Sequence, residues 1–412
     1  MKLLHTSDWH LGRTLYGKAR HDEHQAFLAW LADKIEQEHV DVLLVAGDIF
    51  DTTTPSNRAQ ALYYRFLCRV AASRCRHVVV IGGNHDSPSF LDAPRELLQA
   101  LDVHVVGAAA ADPADEVLLL RDGQGRPELI VCAVPYLRDR DLRTAEAGET
   151  LQDKERKLLA GLRAHYAAVG AAAGQKQKEA GTDVPIVGMG HLFTAGGQTL
   201  EGDGVRELYV GSLAHVTPGI FPACMDYVAL GHLHVPQAVG GSEAIRYSGS
   251  PLAMGFGEAG QQKSVCLVRF EQREPAVRCK PIPTFQQLAR LRGDWETISA
   301  RLHALAQDEH AQGTTWLEIV YEGDAVVGDL RERLQALTAD THLEVLRVQN
   351  RRVVALALDA PQAHESLDEL DETQVFDHCL DAHDVPAAQR DALQQTYREA
   401  LALLHEDDAR AG

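Results

Sequence analysis

Lys2-Leu-Leu-His-Thr-Ser-Asp-Trp-His-Leu-Gly-Arg13 opens the chain as a short apolar run that breaks directly into Asp8, Trp9 and His10. Four more runs end the same way. Residues 40–47 lead into Asp48, 77–83 into Asn84-His85-Asp86, 184–190 into His191, and 227–231 into His232-Leu233-His234. The runs are rich in Val, Ile and Leu and mostly lack period-2 alternation, which predicts strands covered on both faces. In open α/β sheets, sites form beyond the carboxyl ends of the strands, so the five termini should converge. Glycine stands before four of the groups (Gly47, Gly83, Gly190, Gly231), where it permits a sharp turn and a close approach.

Between the runs lie helical patterns. Residues 21–37 place Phe27, Leu28, Leu31 and Ile35 on one face, and 58–72 do so with Leu62, Phe66, Leu67 and Val70. The Ala-rich, charged stretch 149–180 reads as a helix followed by a flexible Gly/Lys/Gln loop. Residues 1–280 are thus expected to form one large layered α/β (α+β) domain. From Thr284 the texture changes: helical patterns at 295–306 and 328–337 alternate with strand-like 315–321 and 343–348. That predicts a small α/β domain over 281–358. Residues 359–412 form an acidic tail. Ser366-Leu-Asp-Glu369 is a capping-box signature, and Pro386 suits the first turn of a second helix, so two helices are expected, either packed on their own domain or docked as a hairpin on a partner chain.

Each chemical group is common when taken singly. The ordered set DxH, GD, GNHD, GH and GHxH, each at the end of an apolar run, is what a plain scaffold does not explain. Carboxylates, imidazoles and one amide oxygen, with no thiolate, suit Mn²⁺, Fe²⁺, Zn²⁺ or Mg²⁺. Asp8, His10, Asp48, Asn84, His191, His232 and His234 are too many donors for one tetrahedral ion but enough for two. A shared aspartate would hold such a pair about 3.5–4 Å apart, the arrangement that neutralises a phosphodiester and activates water. His85, beside the ligand asparagine, is then free to donate a proton or stabilise the transition state.

The net charge of −19 offers no support for nucleic-acid binding, since phosphate contacts need Lys and Arg. Its distribution softens the objection: the tail holds 14 acids against 3 bases, net −11, leaving −8 for the rest. Arg13, Lys18 and Arg20, which follow the first motif, and Arg138 and Arg140, in a basic loop after Pro135-Tyr136, are the candidate phosphate contacts. The seven cysteines are odd in number and scattered without a CxxC pair, which predicts reduced thiols in a cytosolic protein. The first motif begins within the opening residues, so no signal peptide is expected, and no apolar run reaches the ~18 residues of a membrane span.

The chain resembles the SbcD family of nuclease subunits, part of the calcineurin-like metallophosphoesterase superfamily and related to the meiotic recombination nucleases. Residues 2–13 carry the resemblance, with Val45-Ala-Gly-Asp-Ile-Phe-Asp51, Gly83-Asn-His-Asp-Ser87, Gly231-His-Leu-His234 and Tyr247-Ser-Gly-Ser-Pro251. It extends over essentially the whole chain and implies a β-sandwich flanked by helices, a capping domain that shapes DNA access, and a C-terminal helical hairpin. It further implies Asp8, His10, Asp48 and His234 on one ion, Asp48, Asn84, His191 and His232 on the other, manganese as the metal, and His85 as the catalytic histidine. The implied activity is an ATP-dependent 3′–5′ double-strand exonuclease that also opens hairpins and blocked DNA ends, in DNA repair, replication and recombination. The implied partners are a second copy of the chain and an SbcC-type coiled-coil ATPase, bound through residues 366–405. The implied location is the cytoplasm, in association with the nucleoid.

One departure stands out. Archaeal members carry a second catalytic histidine after the Gly-Asp motif where this chain has Asp51-Thr52; Asp51 is expected to hydrogen-bond a ligand or a turn instead. No GxxxxGK[ST] is present, so the ATPase belongs to another chain. The enzymatic rival is a phosphomonoesterase, which would show Asp-Arg-Gly after the Gly-Asp motif and Glu after Asn-His; Asp51-Thr52-Thr53 and Asp86 stand there instead. The non-enzymatic rival is an inactive scaffold of the same fold.

Overall fold

The computed structural model describes residues 1–144, 146, 149–194, 216–307, 313–323 and 329–350, together with Phe376, Leu380, Arg390, Leu393, Gln394 and Tyr397. The chain divides into two compact units, Met1–Ala289 and Arg290–Gly412.

The first unit opens with β1 (Lys2–Thr6), a small hairpin of β2 (Thr14–Leu15) and β3 (Lys18–Ala19), and α1 (His21–Glu38). Then come β4 (Val42–Ala46), α2 (Asn57–Ala71), β5 (His77–Ile81), α3 (Pro88–Asp92), α4 (Arg95–Gln99) and β6 (Val103–Val106). A second group follows: β7 (Val117–Arg121), β8 (Pro127–Ala133), α5 (Asp139–Leu142), α6 (Leu151–Glu179), β9 (Ile186–His191) and β10 (Tyr227–Gly231). The hairpins β11 (Gln237–Val239) with β12 (Ser242–Tyr247) and β13 (Ser264–Glu271) with β14 (Glu274–Pro281) complete it.

Two six-stranded sheets result, in the orders β14-β13-β1-β4-β5-β6 and β11-β12-β10-β9-β8-β7. In the first sheet β1, β4, β5 and β6 run parallel, and β13 returns antiparallel against β1. In the second, β12, β10, β9 and β8 run parallel, with β7 and β11 antiparallel at the edges. Side chains alternate along each strand, and both faces find cover. Leu4, Leu43, Val45, Val78 and Val80 pack against Phe27, Leu31 and Ile35 of α1 and Leu62, Phe66 and Val70 of α2. Their neighbours Leu3, Val42, Leu44, Ala46, Val79 and Ile81 meet Leu129, Val131, Ala133, Val187, Met189 and Ala229 of the other sheet. The outer face of the second sheet is closed by Leu162, Tyr166, Val169 and Ala173 of α6. Double coverage is why the strands read as unbroken apolar runs.

One expectation is corrected. The Gly/Lys/Gln stretch after the Ala-rich segment is helix, because α6 continues through it to Glu179. Thr150 and Asp153 form a capping box at its start. Its later turns are anchored: Gly170 sits where a Cβ would come within 2.6 Å of Pro222 Cγ, Lys176 Nζ donates to the Val117 carbonyl at 2.7 Å, and Gln177 Nε2 to that of Val184 at 2.7 Å. Tertiary contacts outweigh the weak helix propensity of glycine here.

The three-stranded sheet of β15 (Gln287–Gly293), β16 (Thr315–Tyr321) and β17 (Leu343–Asn350) belongs with α7 (Trp295–Ala306) and α8 (Leu330–Thr338). Ile298 and Leu302 of α7 and Leu330 and Leu334 of α8 are buried, as are Leu317 and Ile319 of β16. Buried Glu318 receives Arg290 at 2.7 Å and Arg347 at 3.0 Å. The expected hairpin at 366–405 and its docking role lie outside the described residues, apart from the six named above. Those six are helical, and the Phe376 ring stacks on Tyr397 with centroids 4.0 Å apart. No helix among the described residues is long and apolar enough to cross a membrane.

Candidate metal centre

The carboxyl ends of β1, β4, β5, β9 and β10 deliver their motifs to one place. Trp9 fixes the first: its indole donates to Thr6 Oγ1 at 3.0 Å and lies edge-on to Phe27 and Phe66 in the helix-side core. The flanking Asp8 and His10 consequently turn the other way. The loop after β1 is zipped to the loop after β4 by Asp8 N to Gly47 O, His10 N to Asp48 O, and Leu11 N to Ile49 O, each at 2.9–3.0 Å. Asp8, His10, Asp48 and His232 all take positive φ (53°, 46°, 51° and 101°), a conformation non-glycine residues hold only where their surroundings impose it.

Of the four glycines before the motifs, Gly47 alone has positive φ, +87°. The others are required for space. A Cβ on Gly231 would fall inside the Ala46 carbonyl oxygen, and one on Gly83 inside the Asp48 carboxylate. A Cβ on Gly190 would meet Tyr166 Oη.

Two clusters of ligand atoms form, Asp8 with His10 and His234, and Asp48 with His191 and His232. Asp48 Oδ2 lies between them, 3.6 Å from His10 Nε2 and 3.3 Å from His191 Nε2. Asn84 Oδ1 joins the second cluster, 2.9 Å from His191 Nε2 and 3.1 Å from His232 Nδ1. His10 Nε2 and His234 Nε2 face each other at 3.3 Å in the first. All the residues but Asn84 are buried.

Hydrogen bonds fix which ring nitrogen can bind an ion. His191 Nδ1 faces the Ala46 carbonyl at 2.9 Å; a carbonyl only accepts, so Nδ1 carries the proton. Nε2 then presents its lone pair to Asn84 Oδ1 and Asp48 Oδ2, three acceptors that need a cation among them. Without one, a proton takes that place: burial disfavours the His191 imidazolium, but Asp48 and Asp8 outweigh it and raise its pKa to about 9. Burial alone would raise Asp48, yet His191, His10 and His85 hold its carboxyl well below the usual range. Burial pushes Asp8 up to about 7, opposed by His191 and aided by Asp48. Burial keeps His10 neutral and lowers His232 to about 3. His10 and His232 are thus in the neutral, ligating form and His191 would exchange its Nε2 proton for an ion, so this donor set fits divalent cations.

A ring of outer contacts orients the donors. Asp51 Oδ1 lies 3.3 Å from His10 Nδ1, close beside one of the candidate ligands, and accepts from Arg13 Nη1 at 3.2 Å. The Asp51 carbonyl accepts from His85 Nδ1 at 2.9 Å, leaving His85 Nε2 as the exchangeable position of that ring. His85 N donates to Asp48 Oδ1 at 2.9 Å. Asp8 accepts from Ser7 Oγ at 2.5 Å and from His232 N at 2.9 Å. Sequence reasoning gave Asp86 no role of its own and missed Glu258. Asp86 accepts from Gly83 N, Ile49 N and Phe50 N at 2.9–3.1 Å and clamps two motif loops together. Glu258, buried with Lys263 at 2.6 Å, places Oε1 4.0 Å from His234 Nδ1, while Lys263 Nζ donates to the His234 carbonyl at 3.0 Å. Neither the glutamate nor the lysine stands in a motif, so no local signal marks them.

The basic candidates separate. Arg20 is corrected: it is buried, forks onto Glu23 at 2.9 and 2.7 Å and donates to the Ala253 carbonyl, which makes it a structural arginine with no face for DNA. Arg13 is partly buried against Asp51. Lys18 lies at the β2–β3 hairpin and is half-buried. Arg138 caps α5 and is half-buried, and Arg140 on that helix is exposed.

Residues 1–236 match the family model of calcineurin-like phosphoesterases, and residues 284–384 match the type 5 capsule protein repressor C-terminal domain. The chain is 38% identical over 405 residues to the SbcD component of the SbcCD nuclease of Escherichia coli K12, covering 98% of each. It is 36% identical over 376 residues to the SbcD component of Rhodobacter capsulatus, covering 88% of each. To that of Bacillus subtilis it is 36% identical over 279 residues, covering 67% of this chain and 68% of the relative.

Proposed function

The chain belongs to the SbcD family of calcineurin-like nuclease subunits, and from that premise we propose how its centre cuts DNA. It is a metal-dependent hydrolase of DNA phosphodiester bonds, the nuclease component of an SbcCD-type complex. The observation that carries this reading is the convergence of all seven donor side chains, with Asp48 Oδ2 between the two clusters.

In our reading Asp8, His10, Asp48 and His234 would hold one ion and Asp48, Asn84, His191 and His232 the other, with manganese as the metal. Such a pair neutralises the phosphodiester and lowers the pKa of water. The remaining steps fall to the protein. Asp51 and the Ala46 carbonyl keep the His10 and His191 lone pairs turned inward. His85, steadied through Nδ1 by the Asp51 carbonyl, offers Nε2 to the departing oxygen. Arg13, Lys18, Arg138 and Arg140 are the candidates for the DNA backbone.

The finer proposal follows the family. The protein works in the cytoplasm on double-strand ends, 3′ to 5′, and on hairpins and blocked ends. It acts as a dimer with a coiled-coil ATPase held by the tail at 366–405. Residues 1–280 form the nuclease domain and 281–358 cap the DNA.

The test is a linear duplex labelled at one end, in Mn²⁺, with the native chain and His85→Gln, each with and without the ATPase partner and ATP. Manganese-dependent degradation that His85→Gln abolishes and the partner with ATP enhances is the expected result. Intact DNA under every condition, with hydrolysis of an aryl phosphate, would transfer the site to the phosphomonoesterases.

A further inference from the structure

We propose a second metal site, separate from the nuclease centre and suited to zinc, formed by His77, Asp102 and His104. It lies at the opposite end of the sandwich. His77 is the first residue of β5, whose carboxyl end leads to Asn84, and Asp102 immediately precedes β6. In the parallel register of β5 and β6, Val79 pairs with His104. Residues two apart on a strand share a face, so His77, Val79 and His104 all point the same way. Val79 identifies that face as the one between the two sheets.

The two rings lie side by side, with centroids 5.7 Å apart. One ligand atom from each of His77, Asp102 and His104 lies within 4.8 Å of the other two. His77 Nε2 faces the Arg121 carbonyl of β7 at 2.8 Å. That oxygen can only accept, so the proton sits on Nε2, and Nδ1 is left as a lone pair 3.9 Å from Asp102 Oδ1. A ligating histidine is oriented in this way, with one nitrogen tied to a backbone carbonyl and the other presented to an ion.

His77 Nδ1 and His104 Nε2 are both buried and without a hydrogen-bond partner. Buried polar nitrogens ordinarily find partners, and a cation held in the cluster would supply one. Burial and the neighbouring His77 hold the His104 imidazole toward its neutral, ligating form. Asp102 takes positive φ, 56°, and its side chain is 69% exposed, so the site has an open side through which an ion enters. Two imidazoles and one carboxylate, with no thiolate, are a zinc donor set that leaves a fourth position to water. Bonds of about 2.0–2.2 Å would draw the three ligands roughly 1 Å closer together, within the reach of the exposed Asp102 side chain. The ion would tie β5 to β6 where the two strands begin.

The experiment uses the full chain, stripped with chelator and dialysed against buffered free zinc. Bound zinc and melting temperature are compared for the native chain, Asp102→Asn and His104→Gln. The nuclease centre contributes equally to all three. The native chain should retain about one zinc more than either variant. It should also show a zinc-dependent rise in melting temperature that both variants lose, while all three cut duplex DNA equally in Mn²⁺. His77→Gln, whose amide can still donate to the Arg121 carbonyl, should lose the same zinc. Equal zinc content and equal melting shifts in native chain and variants would overturn the site. A variant that loses manganese-dependent cleavage along with its zinc would overturn its separateness from the nuclease centre.

Discussion

Replacing Asp51 by Ala separates a positioning role from a chemical one. Its Oδ1 holds buried His10 at 3.3 Å and Arg13 at 3.2 Å, while its backbone carbonyl holds His85. The substitution removes the first two contacts and leaves the third, so His85 keeps its orientation. Loss of such an outer partner costs about 10–100-fold in metal affinity or activity. One oxygen here serves two donors, at distances longer than the best charge-assisted bonds, so the lower end is expected: about tenfold, or ~1.4 kcal/mol. The assay is the rate of duplex cleavage against Mn²⁺ concentration. Half-saturation should move upward by about tenfold, with the rate recovered when Mn²⁺ saturates. Asp51→Asn, which keeps an acceptor oxygen but loses the charge, should fall between native and Ala. An unchanged Mn²⁺ midpoint with a collapsed saturated rate would refute this reasoning. Asp51 would then transfer a proton itself, in the place where archaeal relatives have a histidine.

Other perturbations test the architecture. Mn²⁺ at about a hundred times its dissociation constant should stabilise the native chain by ~2.7 kcal/mol, read as a higher melting temperature, and Asp48→Asn should lose most of that rise. Gly231→Ala forces a methyl into the Ala46 carbonyl, which also receives His191. It should cost about 1–3 kcal/mol in denaturant unfolding and weaken Mn²⁺ binding measured by calorimetry. Leu31→Ala, fully buried between α1 and the first sheet, should cost about 2–5 kcal/mol with the Mn²⁺ midpoint unchanged. A shifted midpoint in that variant would mean the helix-side core and the centre are coupled.

The strands were legible because each is covered on both faces, which writes Val, Ile and Leu without interruption from Val42 to Val45 and from Val78 to Ile81. The convergence of the donors was legible for the same reason: parallel strands share one carboxyl edge. What stayed hidden depends on pairs far apart in sequence. Nothing near Glu258 or Lys263 announces that both pack beneath His234, and Asp86 reads as part of a motif when its work is to tie two loops together. The left-handed backbone at Asp8, His10 and Asp48, which Asp and His tolerate better than most residues, is likewise set by the zipped loops. Glycine before a motif suggested a turn; at Gly231 and Gly83 the need is room. The end of α6 was hidden too, because the packing of Gly170 on Pro222 involves a loop distant in sequence.

The core shared by the two sheets has a consequence for a chain that is still being made. Asp8, His10, Asp48 and Asn84 follow strands of the first sheet, whereas His191, His232 and His234 follow strands of the second. Neither proposed ion has all its ligands on one side of that core. A nascent chain that has made only β1, β4, β5 and β6 holds a fragment of each ion's shell and has no means of attacking DNA. The capacity to break a chromosome therefore arrives last, when the two halves have already closed on each other.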